Sequence, residues 1–217
     1  LGAAVSQTIY VVVSRDGYRD VPTEQAIAIV LAVTVVGATL TAVLVGSAAS
    51  LVQPLRDPDV LPLLLFTGIF AAAIPSLGFL WGIRAIGGLR ATLGDAMAVF
   101  APHANSYRRF RAMSYAPVAP TWGINNRSVS LRVPAGPAAS RHVEHRVAGA
   151  DANPYLVAAL VLGGMQHGID NGIDPGPPVV GNGYEQSSHG DLPTDWRAAL
   201  ERAGASEFLA RTLGEEF

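Results

Sequence analysis

The stretch Asn126–Leu156, NRSVSLRVPAGPAASRHVEHRVAGADANPYL, decides how the second half of this 217-residue chain is read. Two short runs within it alternate polar and apolar residues, the period of a β-strand. In Ser128–Val133, Ser128, Ser130 and Arg132 share one face, and Val129, Leu131 and Val133 take the other. In Val143–Val147, Glu144 and Arg146 share a face opposite Val143, His145 and Val147. Two strands therefore each present an arginine, one of them beside a carboxylate, and Arg109 and Arg127 precede them. Guanidinium forks bind carboxylates and phosphates bidentately, and a carboxylate can hold a divalent cation. One Arg/Glu strand alone would equally make a face of salt bridges. The ordered set NSYRR, NR-x4-R-x-P, R-x-x-E-x-R and ADANPYL is far more specific.

Working outward, Asn153 before Pro154 predicts a helix start, with an N-cap side chain and Pro at the first helical position. The helix from Tyr155 to about His167 is apolar on nearly all sides and is expected to be buried. Residues 168–190 are Gly/Pro-rich and irregular. Thr194 is expected to cap a helix over Asp195–Arg202, with Trp196, Leu200 and Ala203 as its apolar stripe. Ser206 caps a last helix ending near Gly214. Upstream, Leu89, Leu93 and Met97 give a helical pattern that breaks at Pro102. Of the five histidines, His145 points to the apolar face of its strand and is expected to pack there. His103 and His142 sit beside the motifs, and His167 and His189 have no partner pattern. None is expected to bind metal.

Half the residues are apolar and 15% are charged, with a formal net charge of −2, so nothing draws the chain to nucleic acid. There is no Cys, hence no disulfide framework or thiolate metal site. Every basic residue is Arg, which removes any Schiff-base or P-loop lysine. Residues 1–87 hold only nine charged side chains, whereas the remainder reads as ordinary soluble protein.

Ala26–Val45 and Val60–Ile83 carry no charge and are long enough to cross a bilayer. Leu1–Val13 looks like the tail of a third span. Arg15, Arg19, Arg84 and Arg90 would place their side in the cytoplasm. The text AAIPSLGFLWGIRAIGG makes residues 1–87 resemble the end of an EamA-type drug/metabolite transporter.

From about residue 88 the motifs resemble the C-terminal catalytic segment of the glutamine synthetase family, in its γ-glutamylpolyamine synthetase-like branch. That resemblance implies an ATP-dependent carboxylate–amine ligase acting through γ-glutamyl phosphate, with ATP and Mg²⁺ or Mn²⁺. It implies glutamate and an amine as substrates, and a homo-oligomer in intact relatives. By the same resemblance Arg109, Arg127 and Arg146 bind glutamate, Arg127 and Arg132 contact ATP, and Glu144 is a metal ligand. Arg127 and Arg146 would be catalytic. Tyr115 stands where glutamine synthetases carry a flap glutamate, so it becomes an amine-site candidate favouring a larger amine over ammonia. Ala139 replaces a basic nucleotide-contacting residue often found in the family.

The expected fold class is mixed: N-terminal all-α transmembrane helices (1–87), then an α+β fragment of a glutamine synthetase-like catalytic domain (88–217). The chain is then membrane-associated with its C-terminal part cytoplasmic, or cytoplasmic if the N-terminal half is artefactual. The family's β-grasp domain and its metal-bearing upstream strands have no counterpart in the text, and the halves abut without a polar linker. The chain alone is therefore expected to be inactive. A transporter fragment, or a non-functional join of the two pieces, is the alternative.

Overall fold

The structure is a computed structural model that describes residues 23–46, 48–137, 140, 142–185 and 192–214. The chain divides into two compact units, Leu1–Leu80 and Trp81–Phe217.

In the first unit, α1 (Thr23–Leu44) and α2 (Ala48–Arg56) are followed by α3 (Val60–Thr67) and a π-helical stretch, Gly68–Ala73. Among the described residues no helix is long and apolar enough to cross a membrane. This corrects the transmembrane part of the expected fold class. The apolar run Val60–Ile83 is helical throughout but changes type, from α3 through the π-helical stretch to α4 (Ile74–Thr92), so no single α-helix covers it. The other run begins within a helix that opens on Thr23, Glu24 and Gln25. Inside that helix, the Thr39 and Thr41 hydroxyls donate to the carbonyls of Val35 and Gly37, each at 2.8 Å. The segment Leu1–Val13 and the arginines Arg15 and Arg19 lie outside the described residues.

The second unit holds α4 from Trp81 on, then α5 (Met97–Phe100) and a 3-10 turn, Ala104–Arg109. Three short strands follow: β1 (Trp122–Ile124), β2 (Leu131–Val133) and β3 (Glu144–His145). The unit closes with α6 (Pro154–Asp170), α7 (Trp196–Gly204) and α8 (Glu207–Leu213). The sheet order is β1-β2-β3, with β1 parallel to β2 and β2 antiparallel to β3. The strands are shorter than the alternation suggests, although backbone bonding runs on past their ends, Arg146 N–H donating to Ser130 O. Leu131 N–H donates to Thr121 O, and the buried Ser130 hydroxyl donates to Ala119 O.

Alternation sorts the sheet faces in part: Ser130, expected beside Arg132, is fully buried, and Val143, expected on the apolar face, is exposed. Leu131 and Val147 are fully buried in a core shared with Leu89, Leu93, Met97, Phe100 and Leu160, and Val129 is fully buried as well. Arg132 pairs directly with Glu144 on the other face. Behind the sheet, α4 and α6 approach so closely that side chains are excluded. A Cβ on Gly88 would lie 2.1 Å from Gly164 O, and one on Gly168 would lie 2.0 Å from Arg84 O. Only glycine fits such backbone-to-backbone contact.

Asn153 caps α6, its Oδ1 accepting from Tyr155 N at 3.0 Å, with Pro154 in the first turn. This helix is not buried all round. Leu160, Gly164 and Gly168 face the core, whereas Tyr155 and Leu162 are exposed. The cap of α7 is Asp195 rather than Thr194, its carboxylate accepting from Ala198 N at 2.9 Å. Trp196 and Leu200 are exposed and Ala199 is buried, so of the expected stripe only Ala203 packs against the core. Ser206 caps α8, which ends at Gly214.

Candidate active site

The β2/β3 register sets Arg132 and Glu144 opposite each other, and the pleat returns Arg146 to the same face. Glu144 then bridges two guanidinium groups. Its Oε2 accepts from Arg132 Nη1 at 2.8 Å, and its Oε1 accepts from Arg146 Nη1 at 2.5 Å. Burial opposes the Glu144 carboxylate charge. The hydrogen bonds and charges of Arg132 and Arg146 outweigh it and hold the group below its ordinary range. Arg146 also donates from Nη2 to Tyr115 O at 3.0 Å, and its backbone N–H donates to Ser130 O.

Arg132 and Arg146 each keep a buried Nε without a partner among the described residues, and so does Arg109. A buried donor left unpaired costs free energy, so native structures rarely retain one without a reason. The two unpartnered guanidinium Nε–H groups on this face, those of Arg132 and Arg146, suit an anion. A phosphate or carboxylate therefore fits this face. A divalent cation does not fit it alone. Among the described residues no three His, Asp or Glu side chains converge. Glu144 is already committed to two arginines, and Mg²⁺ needs several hard oxygen ligands.

The other expected residues lie elsewhere. Among the described residues, no hydrogen bond or ion pair joins Arg109 or Arg127 to the Arg132–Glu144–Arg146 group. Arg109 donates from Nη2 to Val147 O, and its guanidinium lies 4.2 Å over the Phe110 ring. Burial lowers its pKa, while the charge of Asp151 acts in the opposite sense. Arg127 is exposed in the turn between β1 and β2. Tyr115 is exposed and left-handed, at φ 59°, and so is Met113, at φ 64°. Non-glycine residues rarely adopt that conformation, and it concentrates at functional loops. The Ser114 hydroxyl ties this loop down, lying 2.6 Å from both Arg109 O and Arg111 O.

His145 packs its ring edge-on to Phe100, with centroids 4.6 Å apart. Burial, helped by the charge of Arg109, lowers its pKa to about 4. His142 is exposed, with Nδ1 2.9 Å from Ser140 O. Ala139 and His189 lie outside the described residues.

Two polar residues near the site were not anticipated. Asp151 accepts from the Ser106 hydroxyl, which holds its carboxyl below the usual range even against burial, and the charges of His103 and Arg109 add to this. Asn125 accepts from Arg132 Nη2 at 2.8 Å. Ser106 lies in the NSYRR motif and Asp151 in ADANPYL, but nothing local in either shows that the two meet. The Asn125–Asn126 doublet at a strand end is at least a turn signal.

The family model "Glutamine synthetase, catalytic domain" matches residues 81–217. The chain is 43% identical over 134 residues to gamma-glutamylputrescine synthetase PuuA of Escherichia coli, covering 62% of this chain and 28% of that protein. It is 39% identical to gamma-glutamylethanolamide synthetase GlnA4 of Streptomyces coelicolor, covering 60% of this chain and 28% of that protein. The solved structure of apo GmaS without ligand superposes with a TM-score of 0.54 at 32% identity, covering 62% of this chain and 31% of that one. The chain thus spans less than a third of the length of these relatives. The transporter resemblance of residues 1–87 is not shown by these comparisons, and residues 1–80 fall outside the family match. The arginine–glutamate face at Arg132, Glu144 and Arg146 lies inside that match, and the chain belongs to the glutamine synthetase family.

Proposed function

We propose that residues 88–217 supply the arginine-lined wall of an ATP-dependent carboxylate–amine ligase site. The observation that carries this reading is the pair of guanidinium groups on Glu144, each with a buried, unpartnered Nε. In the proposed reaction the γ-phosphoryl group of ATP passes to the γ-carboxylate of glutamate. The bond from phosphorus to the ADP oxygen breaks as the bond to the carboxylate oxygen forms. An amine nitrogen then attacks the acyl carbon, the C–N bond forms, phosphate leaves and the amine loses a proton. Such transfer is catalysed mainly by positioning and by fixed charge around the transferring group. Arg132 is assigned to the ATP phosphates, Arg127 to glutamate and phosphate, and Arg109 to glutamate. Arg146 is assigned to the γ-glutamyl group as the reaction proceeds.

Glu144 is assigned as one carboxylate toward Mg²⁺ or Mn²⁺, the other ligands coming from outside the described residues. Homo-oligomeric assembly and a cytoplasmic setting belong to the same proposal. Tyr115, whose carbonyl is held by Arg146, is assigned to the amine side, with an alkylamine such as putrescine preferred over ammonium. Three relatives, at 38–43% identity, are named for putrescine, ethanolamide and isopropylamine, which supports that preference, while others at 34–36% are named glutamine synthetases. The test replaces the corresponding segment of the putrescine ligase with residues 88–217 and compares kcat/KM for putrescine and ammonium. Preference for putrescine is expected. A hybrid that assembles and turns over but prefers ammonium overturns the amine assignment.

A further inference from the structure

Arg132 is held from both ends. Its Nη1 donates to Glu144 Oε2 and its Nη2 donates to Asn125 Oδ1, both at 2.8 Å. Two acceptors at opposite ends of one planar guanidinium fix its plane, because rotation about the Cζ–Nε bond would break both hydrogen bonds. Nε–H stays buried and unpartnered. The Arg132 side chain is only 16% exposed, whereas Asn125 and its hydrogen bond to Arg132 lie at the surface.

Asn125 is suited to this position by its backbone. It follows β1 directly, and its N–H donates to Val133 O at 2.8 Å, extending the β1/β2 ladder by one bond. Its φ is 50°, in the left-handed region. Asn is one of the few non-glycine residues that enters this region readily. The left-handed turn is where the amide oxygen meets Arg132.

The chemistry of the two acceptors differs. Glu144 carries a charge that offsets the cations beside it, whereas Asn125 orients Arg132 without neutralising it. We propose that Asn125 is a positioning residue that presents Arg132 to an anion of the di- or triphosphate class while preserving its full positive charge. The nucleotide part of this inference rests on the ligase reading above. The orientation of Arg132 does not.

The test uses the full 217-residue chain, ¹⁵N-labelled, with the Arg132 Nε–Hε signal assigned by Arg132→Lys. Asn125→Gly removes the amide but tolerates the left-handed backbone. Asn125→Asp keeps the acceptor and adds a charge. We expect Asn125→Gly to speed Arg132 Nε–H exchange by about three- to tenfold, the worth of one hydrogen bond. Asn125→Asp leaves that exchange slow. With inorganic pyrophosphate as probe, both variants bind about three- to tenfold more weakly than the parent chain. The glycine variant does so by misorientation and the aspartate variant by neutralisation.

If Asn125→Gly leaves Arg132 exchange unchanged, the inference is overturned. If Asn125→Asp binds pyrophosphate as tightly as the parent, the claim about preserved charge is overturned. If Arg132 exchange responds to Asn125 and the parent chain ignores pyrophosphate, the positioning stands and the ligase reading fails.

Discussion

Removing Glu144 would expose what the arginine face depends on. Its carboxylate is the only charged acceptor on Arg132 and Arg146 among the described residues, at 2.8 and 2.5 Å. Hydrogen bonds to charged groups contribute about 1.5–3 kcal/mol each, so two give an upper figure of roughly 3–6 kcal/mol. The carboxylate is 35% exposed, and water would partly resolvate the freed guanidinium groups. Exposed ion pairs contribute no more than about 1 kcal/mol, which pulls the figure down. Truncating one member of a buried pair costs about 3–5 kcal/mol, because a charge is left uncompensated. This site lies between those limits, so Glu144→Ala should lose about 2–3 kcal/mol. Urea unfolding followed by tryptophan fluorescence, which includes Trp122 on β1, measures it. The loss should shrink when millimolar pyrophosphate is added, since an anion can take the place of the carboxylate between the two guanidinium groups. The parent chain should respond less. A loss below about 0.5 kcal/mol, or no extra stabilisation by pyrophosphate, would refute the reasoning.

The close crossing of α4 and α6 gives a second expectation. Gly168→Ala puts a methyl group 2.0 Å from Arg84 O and 2.5 Å from Gly88 N, both backbone atoms that cannot swing away. It should cost about 1–3 kcal/mol in the same unfolding assay, and a neutral result would mean that the helices are free to separate. Tyr107 gives a third, at alkaline pH. Burial, with the charge of Asp195 adding to it, raises its pKa to about 12, against 10.0 for an exposed tyrosine. Between these values the folded chain binds more protons than the unfolded one, so this contribution to stability falls as pH rises. The parent chain should lose about 1 kcal/mol more than Tyr107→Phe between pH 9 and pH 11, and equal losses would contradict the assignment.

What the sequence made readable follows from where local periodicity decides the structure. The alternation in Ser128–Val133 and Val143–Val147 separates the fully buried Val129, Leu131 and Val147 from Arg132, Glu144 and Arg146, but it misplaces Ser130, which is buried, and Val143, which is exposed. The Asn153–Pro154 start and the Ser206 cap are likewise local, one side chain meeting an amide two or three residues on. Contacts between distant segments were not readable. The Ser106–Asp151 hydrogen bond, the Asn125–Arg132 bond and the α4–α6 crossing depend on how loops and helices return. Asp195 took the α7 cap from Thr194 because two adjacent residues could both cap, and only the loop's path chooses between them. The membrane reading failed for a related reason. Hydropathy counts apolar residues in a row, whereas spanning requires one sufficiently long and apolar helix. The run Val60–Ile83 falls on α3, a π-helical stretch and α4.

The central claim is that the arginines on the Glu144 face stabilise charge as the phosphoryl group transfers. The most direct measurement is ATP- and glutamate-dependent turnover in the putrescine-ligase hybrid carrying residues 88–217, with Arg146→Ala against the parent hybrid. Loss of one preorganised donor to a developing charge lowers kcat by about 10²–10³, with KM for ATP changed little. That fall in kcat is the expected result. An Arg146→Ala hybrid that assembles normally and keeps its kcat would contradict the account.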